Sequence, residues 1–411
     1  MKIGFLTHYF PPEIGAPAAR IYEMAREWVG ADHNVKVVTC FPNHPTGEIP
    51  EEYQGMKFKK EEMDGIEVFR NYVYATPNKG IIKKTLNHLS FMFSSLLFSL
   101  RKIGAIDISV VSSPTFFSIF SGYIFSILKR TPFVLEIRDL WPAAIVELGI
   151  IKNRVIISIL EWIELFFYKR ADMVVVVTES FKDNLVERGI NPDKIKVITN
   201  GVDTEFFQRE KPDEDLLAEY DLQDKFVVEY IGAHGNSQGL ETIIKVADRL
   251  KNQDDIEFLF VGEGAEKEKL VNLAKELELD NVTFVSQQPK EKVPDFYNVS
   301  DVCLVPLKDI DIFETFIPSK IFEIMACERP IVASLRGETE EILNNAGSSL
   351  VVEPENVEEI SEAILKLKND PGLGEKLGKN GREFVKKKYS RKALAQEYLE
   401  YMQELVEEDG I

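Results

Sequence analysis

The fold turns on the run Phe226-Val227-Val228-Glu229-Tyr230-Ile231-Gly232-Ala233-His234-Gly235-Asn236-Ser237-Gln238-Gly239-Leu240. Phe226–Ile231 reads as a buried parallel strand, Gly232–Gly239 as a glycine-rich loop, and Leu240–Leu250 as a helix with Glu241 in its first turn. Strand, loop and helix in that order form the unit of an open, doubly wound α/β sheet, which binds ligands at the carboxyl edge of its strands. Glycines in such a loop let backbone amides approach the ligand. The order recurs at the start of the chain, with the strand Lys2–Tyr9, the small-residue loop Pro11-Pro12-Glu13-Ile14-Gly15-Ala16-Pro17-Ala18-Ala19-Arg20 and the helix Ile21–Trp28. This loop lacks three spaced glycines, so it is a weak phosphate loop, and a plain tight turn explains it about as well.

Further strands are expected at Val35–Cys40, Ile108–Ser112, Pro132–Ile137, Met173–Thr178 and Ile195–Ile198, then at Glu257–Gly262, Val282–Val285, Cys303–Pro306 and Pro330–Ala333. The 411 residues exceed what one core usually serves, which predicts two domains of roughly 200 residues. With 45% hydrophobic and 28% charged residues the composition is that of a soluble globular protein. Cys40, Cys303 and Cys327 are far apart and match no metal-ligand spacing, so they read as reduced thiols. No secretory signal is expected, because Met1-Lys2 passes straight into a strand. Residues 1–200 carry 24 Lys and Arg against 22 Asp and Glu, whereas residues 201–411 carry 25 against 46. The acidic second half argues against nucleic acid as a partner, while the near-neutral first half suits an anionic surface.

Ile317-Pro318-Ser319-Lys320-Ile321-Phe322-Glu323-Ile324-Met325-Ala326 reads as a tight turn feeding an apolar helix. Ser319 is then an N-cap, the first amides point at an anion such as a diphosphate, and Glu323 lies one turn in. A carboxylate there can take both hydroxyls of a ribose. An amphipathic core helix with a capping Ser, a solvated Lys and a first-turn Glu fits the spacing about as well.

Three basic-flanked apolar runs mark the first half: Gly80–Gly104, Ile119–Arg130 and Ile150–Arg170. At about 15 residues, the apolar part of the first is shorter than the ~20 needed to span a bilayer. Helices buried against a sheet explain these runs, and so do helices lying in a membrane interface; their number slightly favours membrane contact. His44, in the loop Phe41–Gly47, is a possible acceptor contact or simply a surface side chain. Arg138 is either a structural ion pair with Asp139 or Glu136, or a planar fork suited to phosphate.

Together Pro42–Gly47, Arg138–Pro142, Asn200-Gly201-Val202-Asp203, Gly235–Leu240 and Pro318–Ala326 resemble the retaining glycosyltransferases of family 4. Within that family they look like the subgroup that adds N-acetyl-L-fucosamine or a related amino sugar in O-antigen or capsule assembly. The resemblance runs from Lys2 to the final helix. It implies a GT-B fold: an acceptor domain over 1–202, a donor domain over 203–389, a cleft between them, and a helix over 390–411 crossing back to the first domain. It implies donor contacts at Gly15, Gly232, Gly235, Gln238, Gly239, Thr315, Ser319, Lys320 and Glu323, catalysis by Arg138, Lys320 and Glu323, and acceptor contacts at Arg20, Asn43 and His44.

The sequence departs from the family at several of these places. The first Glu of the family's pair falls on Thr315, with Glu314 one residue early, Arg138 stands where a His is common, and the loop's usual Arg and Lys are Ala233 and Gln238. Charge for a diphosphate then falls to Lys320, the amides after Pro318, and Arg138. The resemblance also implies no cofactor and no metal, a nucleotide-sugar co-substrate, UDP-linked, and a lipid-linked saccharide acceptor; the cysteines, the N-terminus and the three apolar runs add the expectation of a cytoplasmic protein at the inner face of the membrane, in contact with it through its first domain. The two Asp-x-Asp pairs, Asp213–Asp215 and Asp309–Asp311, have no His or Cys cluster beside them in the sequence. A hydrolysing UDP-N-acetylglucosamine 2-epimerase shares the architecture but needs several cleft acids that the sequence does not assemble. A nucleotide-sugar-binding subunit without activity is the other alternative.

Overall fold

The computed structural model describes residues 1–13, 15–44, 46–76, 81–113, 116–140, 142, 151–408 and 410. Ile14, Pro45, Gly80, Trp141 and Ile150, which belong to stretches quoted above, lie outside the described residues. The chain forms two units, Met1–Thr199 with Arg391–Ile411, and Asn200–Ser390. The first crossing lies three residues before the one read from the sequence because Val202 bridges to Ser390 and donates its amide to the Tyr389 carbonyl at 3.0 Å. These contacts tie Val202 to the second unit.

Among the described residues the first unit holds an eight-stranded sheet, β3-β4-β2-β1-β5-β6-β7-β8. Its strands are β1 (Lys2–Leu6), β2 (Asn34–Cys40), β3 (Phe58–Met63), β4 (Ile66–Asn71), β5 (Ile108–Ser112), β6 (Phe133–Ile137), β7 (Met173–Val176) and β8 (Ile195–Val197). All pairs are parallel except the hairpin β3–β4, which the sequence reading did not include. Its helices are α1 (Ala16–Gly30), α2 (Ile81–Ser94, continued by a π-turn over Ser95–Ser99), α3 (Phe116–Lys129), α4 (Arg154–Arg170) and α5 (Glu179–Glu187). The central strands are continuous apolar runs because both faces of the sheet are covered. Strand order reverses between β1 and β5, so the loops leaving them diverge at the carboxyl edge.

Among the described residues the second unit holds a six-stranded parallel sheet, β11-β10-β9-β12-β13-β14. Its strands are β9 (Phe226–Ile231), β10 (Ile256–Val261), β11 (Val282–Val285), β12 (Val302–Pro306), β13 (Ile331–Ser334) and β14 (Ser349–Val352). The helices are α6 (Glu214–Glu219), α7 (Leu240–Leu250), α8 (Lys267–Glu276), α9 (Val293–Val299), α10 (Lys320–Ala326), α11 (Glu338–Ala346), α12 (Val357–Asn369) and α13 (Pro371–Lys388). The switch point falls between β9 and β12, which opens a crevice at the glycine loop that follows β9. β14 lies beyond the last strand expected from the sequence, a four-residue edge strand that is only half buried.

The last helix, α14 (Arg391–Glu408), belongs to the first unit, as the resemblance implied. Leu394, Ala395, Tyr398, Leu399 and Met402 join the core of Ile3, Phe5 and Trp28. The Trp28 indole N–H donates to the Ala395 carbonyl at 2.8 Å, and Arg391 pairs with Glu23 at 2.7 Å.

Candidate functional site

In the second unit the loop after β9 begins at Gly232, whose φ of 145° suits glycine. A Cβ at Gly232 would stand 2.5 Å from Nζ of Lys320, so the ammonium rests directly against the loop. That ammonium lies 3.9 Å from the centre of the Tyr230 ring, and the Tyr230 hydroxyl donates to the Ala233 carbonyl at 2.8 Å. It makes no hydrogen bond or ion pair among the described residues. Burial pushes it down to about 8, opposed by Glu323, Glu229 and Cys303. A half-buried ammonium steadied by a ring face but given no carboxylate is suited to receive an anion. One turn along α10, Glu323 accepts a hydrogen bond from the Tyr297 hydroxyl at 3.1 Å, which orients its carboxylate.

The capping role expected of Ser319 is corrected here. Its backbone is helical and its side chain makes no cap hydrogen bond, and α10 has only 7 residues, so little of the anion's charge can fall to this helix end. Thr315 closes a 3₁₀ turn over Asp311–Thr315. Farther along the loop, the Gln238 side-chain oxygen is buried without a partner and faces Gly235. Gly239 abuts Lys308 and Glu355, with which it lines a polar depression at the far end of the loop.

Two residues of this site were not singled out from the sequence. Glu229 is fully buried in β9, accepts from Ser300 Oγ at 2.9 Å, and has a second oxygen with no partner. Burial pushes it up to about 7. A Glu inside an otherwise apolar strand was the available signal. His234 is fully buried, neither ring nitrogen has a partner, and burial pushes it down to about 4. Its loop is clamped by Gly262, where a Cβ would collide with the Gly232 carbonyl oxygen.

In the first unit Arg20 has a structural job and not the acceptor contact expected of it. It is 1% exposed, pairs with Glu136 at 2.9 Å and donates to the carbonyls of Ile198 and Thr199 at 2.7 and 2.5 Å. Asn43 is likewise used internally: its side-chain amide donates to the Phe41 carbonyl at 3.0 Å and its oxygen accepts from Asn87 at 2.9 Å. Gly15 is exposed before α1. The half-exposed ring of His44 meets Tyr9 edge-on at 5.3 Å. Arg138 follows β6 with Nε and Nη1 buried and unpartnered, and no ion pair joins it to Asp139 or Glu136. Burial lowers its guanidinium to about 10 against the opposing pull of Glu136.

Two sequence families match the chain: Glycosyltransferase Family 4 over residues 18–206 and Glycosyl transferases group 1 over residues 213–384. The sucrose-phosphate synthase of Thermosynechococcus elongatus superimposes with a TM-score of 0.77 at 21% identity, covering 98% of each chain. The chain is a GT-B glycosyltransferase. HepE of Anabaena, solved with UDP and glucose, superimposes with a TM-score of 0.72 at 17% identity over 98% of this chain and 99% of its own. Among curated relatives, a protein named for colanic acid biosynthesis, the glycosyl transferase WcaI of Escherichia coli (strain K12), is 28% identical over 89% of this chain and 91% of its own length.

One acid of each Asp-x-Asp pair of this glycosyltransferase has another partner. Asp213 caps α6 by accepting from the amides of Asp215 and Leu216, and Asp309 pairs with Arg336 at 3.0 Å. No group of three metal-ligating side chains is found among the described residues. What the second unit offers an anionic ligand is one half-buried ammonium, the loop Gly232–Gly239, and a carboxylate one turn away.

Proposed function

We propose that this glycosyltransferase moves a sugar, with retention, from a UDP-linked donor to a lipid-linked saccharide in cell-surface polysaccharide assembly, the sugar being N-acetyl-L-fucosamine or a related amino sugar. The observation that carries the reading is the Lys320 ammonium, half-buried against Gly232, given no ion pair among the described residues, and one turn from Glu323. Lys320 takes the diphosphate and stabilises it most as the glycosidic bond breaks and charge builds on the leaving oxygen. Glu323, oriented by Tyr297, accepts from the two ribose hydroxyls. Gln238 and the loop amides complete the donor site. Arg138 supplies an anion-binding fork in the first unit, and the ring of His44 contacts the acceptor. No metal or other cofactor takes part.

The UDP in the HepE structure supports the donor class, and the names of WcaI and of LpsD, a lipopolysaccharide core biosynthesis glycosyltransferase of Rhizobium meliloti, support the acceptor class. Among the described residues no helix is long and apolar enough to cross a membrane. α2, α3 and α4 instead expose apolar side chains that we propose rest on the inner face of the membrane. Mass spectrometry of products from a panel of nucleotide sugars and lipid-linked acceptors tests the reading. One donor should yield a lipid-linked product of retained configuration, with or without EDTA. Donor binding without transfer across the panel would sink it, and activity lost to EDTA and restored by magnesium would sink its metal-free part.

A further inference from the structure

The first unit gathers a second set of ionisable groups that the donor chemistry leaves unused. His8 follows β1, His44 follows β2, and Lys84 and His88 stand one turn apart on α2, so that three of the chain's 5 histidines meet at the carboxyl edge of the sheet. The rings of His8 and His88 are 4.6 Å apart, and Tyr9 links the pair to His44 with ring contacts of 5.1 and 5.3 Å. His8 is 2% exposed, and Nδ1 of both His8 and His88 is buried with no hydrogen-bond partner. Asn87 gives its amide N–H groups to the Asn43 side-chain oxygen and the Tyr74 carbonyl, and its side chain favours the charged form of His8.

No carboxylate neutralises the set. Glu13, the buried acid nearby, accepts from the backbone amides of Asn43 and His44 at 2.8 and 2.9 Å. Burial holds all three imidazoles toward the neutral form, and Lys84 adds to this at each of them; His8 is also opposed by His88 and His44. Other titratable groups here are Tyr9, Cys40, Arg70 and Asp139. Bases that repel one another around unpartnered nitrogens call for a ligand of concentrated negative charge, which would let them take up protons. The same α2 exposes Leu86, Phe93 and Leu97, the last at 70%. A ligand with phosphates at one end and a long apolar tail at the other meets both features.

We propose that His8, His44, His88 and Lys84 form the subsite for the phosphates of a long-chain lipid diphosphate acceptor, with its tail lying along the apolar side of α2. The proposal rests on the reading that the acceptor is lipid-linked, and it lies at the switch between β1 and β5 where an open sheet binds ligands.

Histidine NMR on the full chain tests it, because each location has its own reporter. His8, His44 and His88 report the cluster, His234 reports the second unit, and His33 serves as a control away from both. Farnesyl diphosphate should shift the His8, His44 and His88 signals saturably and raise the His44 and His88 midpoints by about one pH unit or more. Farnesol should leave them unchanged, and inorganic pyrophosphate should act more weakly than the lipid. Lys84→Ala, at an exposed position, should weaken the farnesyl diphosphate response by about two- to fivefold in a folded protein. Shifts confined to His234, or a response to inorganic pyrophosphate without one to the lipid, would overturn the proposal. If the three signals respond but no sugar ever reaches a lipid diphosphate in the product assay, the transfer reading fails while the binding site stands.

Discussion

Removing an ammonium from water without giving it an ion pair opposes folding until an anion arrives, so Lys320 should matter most when the leaving diphosphate carries its greatest charge. Lys320→Met is expected to lower kcat by about 10²-fold or more with a smaller change in donor binding, measured by steady-state kinetics and calorimetry. A kcat within about threefold of the parent would move the role to Arg138 or the loop amides. The ammonium is charged below its pKa of about 8. The free-enzyme kcat/KM should therefore fall as pH rises through about 8, and that limb should be missing in Lys320→Met. Glu323→Gln should weaken UDP binding in calorimetry by about 1.5–3 kcal/mol for each charge-assisted bond lost, and unchanged affinity would remove Glu323 from the site. Both residues were legible because a Pro-Ser turn followed by helical spacing places them on one side of a short helix. Glu229, His8, His88 and His234 were not, since each is a single polar residue in an apolar strand, helix or loop. Their meaning depends on neighbours from strands and helices far away in the sequence.

Elements with strong periodicity were read to within a few residues, including β9 and α7, whereas β3, β4 and β14 were missed for a physical reason. Phe58-Lys59-Lys60-Glu61-Glu62-Met63 is an edge strand with four charged residues in a row, and β14 is a half-buried four-residue edge, so neither carries an apolar run. The Asp64-Gly65 turn, with positive φ at both residues, was the available hairpin signal. Close packing of the β9 and β10 loops predicts that Gly262→Ala loses more than about 2 kcal/mol of stability, because φ is 146° and the new methyl meets the Gly232 carbonyl. Urea unfolding checks this, and a change below about 0.5 kcal/mol would mean that the loops yield easily. α2, α3 and α4 lie side by side, tied by Ser95 to Ser121 at 3.1 Å and by Tyr123 against Phe166 and Phe167. Outward they show Phe93, Leu97, Ile127, Leu128, Ile159 and Trp162, the last 68% exposed. Replacing Ile159 and Trp162 with Ser should reduce partition into anionic vesicles by about tenfold or more, and equal partition would show that this face does not enter the lipid.

Across the whole molecule, charge and covalent order divide differently from the two units. The excess of acid lies after residue 200, which leaves the first 200 residues as the part suited to an anionic surface. The first unit is discontinuous in the chain, its core closed by Leu394, Tyr398, Leu399 and Met402 from α14. Burial of each such side chain contributes about 1.5–3 kcal/mol, so their sum approaches the ~5–15 kcal/mol that holds a typical domain folded. Deleting residues 391–411 should thus abolish hydrogen-exchange protection in β1, β2 and β5 while β9, β10 and β12 keep theirs. Protection retained in both sheets would show that α14 is dispensable. The return of α14 also sets an order of events during translation. A ribosome makes all of Asn200–Ser390 before it makes the helix that covers Trp28. The half begun first is therefore the half that cannot finish. Until α14 emerges, the apolar surface around Ile3, Phe5 and Trp28 is open to chaperones or to the same surface on a neighbouring nascent chain, while the second unit can already have folded.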